Sequence, residues 1–197
     1  MNHPIATAAA LGLCLGGCVA FEHLPAVTLD CDPQLAGRWA PADVAGQDAV
    51  DVDGQCRAQF PNGRPGQTVM SPRVQLRSFA LDGQRYLVFE KGDIERMAGL
   101  GAGQLGSSDL AALERGMFLL RYRVQDDVLH AAMVDLPRMR DAIEDGEVPG
   151  REISDSLLAV TSDPEAVARL LRSADVFVAP GERGAVELRR LRAKARP

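Results

Sequence analysis

The thiols are the residues with the most chemistry to offer in this chain: Cys14, Cys18, Cys31 and Cys56. Cys18 follows Gly16-Gly17, two small residues that leave the backbone open to a peptidase, so its thiol reads as a nucleophile able to carry a covalent group. Cys31 and Cys56 form an even pair, expected to bridge in an exported chain and to stabilise it by roughly 3 to 4 kcal/mol through loop closure. Other reactive types are scattered. Asp51-Val52-Asp53-Gly54 hints at a calcium loop, yet lacks the third acidic ligand and the distal Glu, and reads as a solvated turn. His23 and His130 join no ligand cluster, so no metal site is expected. Gly101-Ala102-Gly103-Gln104-Leu105-Gly106 fits a dinucleotide fingerprint in letters only. The polar stretch before it, Lys91 to Met97, is no buried strand, so a flexible connection is expected and no cofactor. No G-x-S-x-G nucleophile elbow occurs, and no catalytic residue is assigned.

Position gives Cys18 its meaning. Ile5 to Leu15 is almost wholly apolar, which suits a signal-peptide core and falls short of the ~20 residues that span a bilayer. Leu15-Gly16-Gly17-Cys18 resembles the lipobox of bacterial lipoproteins, although Gly16 stands where that family more often has Ala or Ser and Met1-Asn2-His3 lacks Lys and Arg. Cys14 fits worse, because Leu13 sits directly before it. The resemblance implies a diacylglyceryl thioether and an N-acyl chain on Cys18, and two or more chains give stable anchoring where one would be marginal. In that family an aspartate after the lipidated cysteine tends to retain the protein in the inner membrane. Val19 stands there, so the implied address is the periplasmic leaflet of the outer membrane.

The expected organisation is a signal peptide over 1–17, a lipidated tether over 18–30, and one globular domain over 31–197. A formal charge of −5 argues against a nucleic-acid binder, which would normally be basic. The run from Arg189 to Arg196 reads as a solvated edge strand, with anionic lipid headgroups or an acidic partner as the alternative.

The elements that must position these residues are mainly strands. Val74–Leu81 and Gln84–Phe89 flank Asp82-Gly83, a tight-turn signal. Met117–Val124 and Val128–Val134 form a second hairpin, with Phe118, Leu120, Tyr122 and Val124 alternating with polar positions. Residues 41–54 and 61–72 read as loops, and 99–108 as a glycine-rich connection. Two helices follow, one capped by Asp135 and stopped at Gly146, the other opened by Ser162-Asp163-Pro164-Glu165. Further strands are expected over 157–160 and 186–191. The fold class is therefore α+β: a mainly antiparallel sheet, lipocalin-like or an incomplete barrel, with two short helices in the C-terminal half.

Gly37-Arg38-Trp39 resembles the G-x-W signature of lipocalins, whose tryptophan plugs one barrel end beneath an arginine from a late strand; the resemblance points to Arg189 or Arg192 for that part. The wider opening Cys31-Asp32-Pro33-Gln34-Leu35-Ala36-Gly37-Arg38-Trp39, followed by hairpins and a late capped helix, resembles a group of bacterial lipoproteins and supplies no activity. The leading expectation is a non-enzymatic, outer-membrane-anchored protein with a structural or interaction role. Its membrane contact is the lipid on Cys18, and its partner an envelope protein. The alternatives are a carrier of a small apolar ligand and an enzyme acting on an envelope component.

Overall fold

A computed structural model describes residues 18–41, 49–62, 69–97 and 107–191. In chain order its strands begin with β1 (Cys18–Phe21), β2 (Gly37–Ala40), β3 (Val50–Val52), β4 (Arg57–Gln59), β5 (Pro61–Asn62) and β6 (Val69–Met70). Next come β7 (Val74–Gln75), β8 (Arg77–Leu81), β9 (Gln84–Glu90), helices α1 (Lys91–Met97) and α2 (Ser107–Ala111), β10 (Met117–Gln125) and β11 (Val128–Met133). The C-terminal part holds α3 (Leu136–Glu144), β12 (Gly150–Ser154), β13 (Leu157–Val160), α4 (Pro164–Arg172) and β14 (Ala185–Arg190).

Twelve of these strands build one mainly antiparallel sheet, and β5 with β6 forms a separate pair. From β8 the hydrogen-bonded order runs β9, β10, β11, β14, β2, β3, β4, β7. The ladder is open, but its ends meet through the chain. Gln75 on β7 pairs with Arg57, Arg77 on β8 pairs with Val88, and only Leu76 lies between. The amide of Leu76 donates to the Cys56 carbonyl at 2.8 Å. One continuous stretch thus serves two edges, which wraps the sheet round an interior.

β10 is long enough for two neighbours along one side, Met117–Phe118 facing β1 and Leu120–Gln125 facing β11. From β1 the sheet branches into β13, the one parallel pairing among the described residues, and then β12. Each face has its own core. The inner one draws on nearly every strand of the ring, including Trp39, Val52, Ala58, Val74, Leu87, Phe118 and Leu129. The outer one lies between β8, β9, β10 and helices α3 and α4, where Phe79 stacks on Tyr86 at 4.9 Å and the Tyr86 hydroxyl donates to the Leu171 carbonyl at 2.9 Å.

Local chemistry explains the hairpins and helices. Asp82 and Gly83 both take positive φ, as a primed turn requires, and Asp126 and Asp127 do the same in the second hairpin. Asp135 accepts from the Arg138 amide at 3.2 Å, and Asp163 from the Ala166 amide at 2.8 Å, each ahead of a proline in the first turn.

Three local readings are corrected. Residues 18–21, taken as tether, form β1, because Val19 and Phe21 fill the outer core while Cys18 and Ala20 fill the inner one. The stretch read as a loop over 41–54 contains β3, where Val50 and Val52 point inward on either side of exposed Asp51. The proline-rich 61–72 stretch contains β5 and β6, whose pairing is only two residues long. The connection over 99–108 lies mostly outside the described residues, together with 101–106.

Candidate functional site

The inner face has a filled end and an open flank. At the filled end, Asp32 opens a single 3-10 turn, Pro33–Leu35, by accepting from the Gln34 amide at 2.9 Å. The chain then swings through Gly37 at φ 139°, where an added Cβ would lie 3.5 Å from Arg190 Cγ. This delivers Trp39 into the core, 1% exposed, with its indole N–H donating to the Leu35 carbonyl at 2.7 Å. Arg190 covers the ring at 4.5 Å and donates to the carbonyls of Ala36 and Gln34, both at 2.8 Å. Its Nε lies 3.2 Å from Asp127 Oδ1.

The arginine over the tryptophan is therefore Arg190, not Arg189 or Arg192. Arg190 pairs directly opposite Trp39, whereas alternation sends Arg189 to the outer face, and Arg192 lies outside the described residues.

A polar knot holds this end to the far wall. Asp32 Oδ2 accepts from Arg85 Nη1 and from the Tyr122 hydroxyl, both at 2.7 Å. Burial, and then the bond to Asp32, push the Tyr122 phenol up to about 12. The Cys31–Cys56 disulfide closes beside this knot, with Cα atoms 5.6 Å apart. The knot was not legible as a unit, because Asp32, Arg85 and Tyr122 are spread over three separate segments.

The open flank is apolar. On β10, β11 and β14 the inward residues Leu120, Val124, Ala131, Met133, Val186 and Leu188 are half-buried, while Tyr122 and Leu129 among them are buried. Across the interior, Val52, Ala58, Val74 and Leu87 are each at most 5% exposed. The wall facing the tryptophan end is packed, while the row on the flank keeps solvent-accessible apolar surface on the concave side of the sheet.

The remaining predicted residues do not converge. Cys18 begins β1, is 4% exposed and has its amide bonded to the Ser156 carbonyl at 2.7 Å. His23 follows β1, and His130 sits on the outer face of β11, 3.7 Å from Glu187 Oε2. Asp53 is occupied by its own turn: the Arg57 and Gln55 amides donate to it, and Arg57 and Arg73 pair with it. The Arg57 amide above all holds its carboxyl below the usual range. Among the described residues no group of three or more His, Cys, Asp or Glu is placed to hold a metal ion, and no described helix is long and apolar enough to cross a membrane. Compared with protein-family models, curated proteins and solved structures, the chain gives no match.

Proposed function

We propose that this chain is an exported, lipid-anchored, non-enzymatic domain that carries a small apolar ligand on the inner face of a lipocalin-like wrapped sheet. The observation that carries this reading is the asymmetry of that face. Folding normally removes inward apolar side chains from water, and a group of half-buried apolar side chains on the inner face of the sheet is a candidate place to receive apolar matter. The Trp39–Arg190 stack and the 3-10 turn beside it support the comparison with lipocalins.

The anchor is proposed from Leu15-Gly16-Gly17-Cys18, with the periplasmic leaflet of the outer membrane as the address. An N-acylated Cys18 keeps one N–H on its α-nitrogen and can still donate to the Ser156 carbonyl, whereas the thioether requires its buried side chain to turn out of the inner core.

The test uses the chain with Cys18→Ser, so that neither attached lipid nor detergent competes for the interior. In cells this variant is expected in the soluble periplasmic fraction, and its persistence in the membrane would remove the anchor from the proposal. Purified, it is titrated with N-phenylnaphthylamine, a neutral apolar fluorophore, and energy transfer is read from Trp39, the single tryptophan. Saturable transfer is expected, and Ala131→Phe, which fills the row between Tyr122 and Val186, should abolish it. Absence of saturable transfer, or equal transfer in the filled variant, refutes the carrier reading.

A further inference from the structure

The outer face of the same three strands carries a second, differently built site. Alternation places Arg121 and Arg123 of β10, His130 of β11 and Glu187 of β14 opposite the apolar row. Arg123 stands directly across from His130, and His130 directly across from Glu187. Residues 178–181 rise beside them, and Val178, Pro180 and Gly181 wall a groove of about 330 Å³ that also reaches Gln84.

The charges in this groove are unbalanced. Glu187 Oε2 lies 3.7 Å from His130 Nδ1, so one carboxylate faces two guanidinium groups here. Arg121 rests on the Phe177 ring at 4.8 Å, and among the described residues neither Arg121 nor Arg123 has a carboxylate within ion-pair distance. Three other sheet arginines, Arg77, Arg85 and Arg151, do reach carboxylates, at 2.7, 2.7 and 2.8 Å. Stacking on Phe177 holds one guanidinium in place without consuming its donors, and a planar N–H fork matches an oxyanion bidentately.

We infer that this groove binds a small oxyanion of the phosphate class, held between Arg121 and Arg123 with His130 and the Gln84 amide at its sides. The shared chemistry admits two sources, free phosphate and a phosphomonoester lipid headgroup. The charged side chains of this groove belong to the outer face, and its test does not depend on ligand carriage.

All proteins for this test carry Cys18→Ser, so that a lipid anchor does not itself bind vesicles. Inorganic phosphate is titrated while backbone amides are followed by NMR, and a second arm measures sedimentation with phosphatidylcholine vesicles with or without phosphatidic acid. Phosphate should shift the amides of residues 121–123, 130–132 and 178–181. Each of Arg121→Gln and Arg123→Gln should weaken binding by about tenfold, the value of one lost charge-assisted contact. Arg123 has an exposed side chain, so its variant folds even if loss of the Phe177 stack disturbs the other. Arg189→Gln, on the outer face but outside the groove, should change nothing. Response to phosphate assigns a soluble ligand, and response only to phosphatidic acid vesicles assigns a headgroup. Silence in both arms, or equal binding by the Arg123→Gln and Arg189→Gln variants, overturns the inference.

Discussion

Raising the pH should dismantle the polar knot around Asp32 through one group, Tyr122. The neutral phenol donates to a carboxylate 2.7 Å away in a site where Tyr122 is 3% exposed. Ionising it would bring two anions together in a low-dielectric pocket, so the fold holds the proton to about 12, against about 10 in an unfolded chain. Between those values the native state binds more protons than the unfolded state, so stability is fully present below about pH 10 and falls as pH rises towards 12. Two units correspond to about 2.7 kcal/mol in full, of which about 1.4 kcal/mol is gone by about pH 11.

Urea denaturation followed by Trp39 fluorescence, with tyrosinate absorbance read in parallel, measures this. The chain has two tyrosines, and burial also raises the Tyr86 phenol, so the comparison is between the native sequence and Tyr122→Phe. Near pH 7 the variant should be less stable by about 1.5 to 3 kcal/mol, the value of a hydrogen bond to a charged acceptor. By about pH 11 that gap should shrink by about 1.4 kcal/mol, because only the native sequence retains Tyr122 to ionise. A gap that stays constant from about pH 8 to about pH 11 would refute the assignment of this proton to the Tyr122–Asp32 bond.

Two further predictions concern the same end of the sheet. Replacing both Cys31 and Cys56 by Ser opens a loop with sequence separation 25 and should cost about 3.5 kcal/mol in the chain-entropy account, read from denaturation midpoints; a loss under about 1 kcal/mol would mean that the Asp32 knot already constrains the loop. Arg190→Met keeps an apolar stem on Trp39 but removes two N–H donations and the charge over the ring, for about 2 to 3 kcal/mol. Arg190→Lys should recover less than half, since an ammonium cannot reproduce the fork that bonds Ala36 and Gln34 together.

How far this fold could be read beforehand depended on the range of the signal. Asp82-Gly83, Asp135 and Asp163 act within four residues, so the hairpin and both late helices followed from local chemistry. The strands β3, β4 and β7 are two or three residues long and make no periodic pattern; they exist because their neighbours pair with them. β12 is hidden for another reason: its edge residues Arg151 and Glu152 are exposed, and its pattern is that of a loop. Arg190 could be predicted in kind but not in number, since choosing among neighbouring arginines requires the register opposite Trp39. The Asp32–Arg85–Tyr122 knot spans ninety positions between its outer members, and no spacing rule joins residues that meet only across a wrapped sheet.

Cys18 carries two readings that pull against each other, since its side chain is buried in the inner core. Its neighbours Gly16 and Gly17 describe what an enzyme could reach in an extended precursor, whereas Val19, Ala20 and Phe21 describe what the folded chain must bury. Under a tether reading, residues 18–30 would hold the domain up to about 40 Å from its lipid. With β1 paired to β13 over Cys18–Phe21 and Asp30 bridged to Ser78, that length is not available, because the segment is fastened at both ends. Under the proposed acylation the lipid is attached to the first residue of an interior strand. The sheet itself then sits against the bilayer, and the half-exposed row on β10, β11 and β14 is carried within the thickness of one domain from the membrane that would supply an apolar ligand.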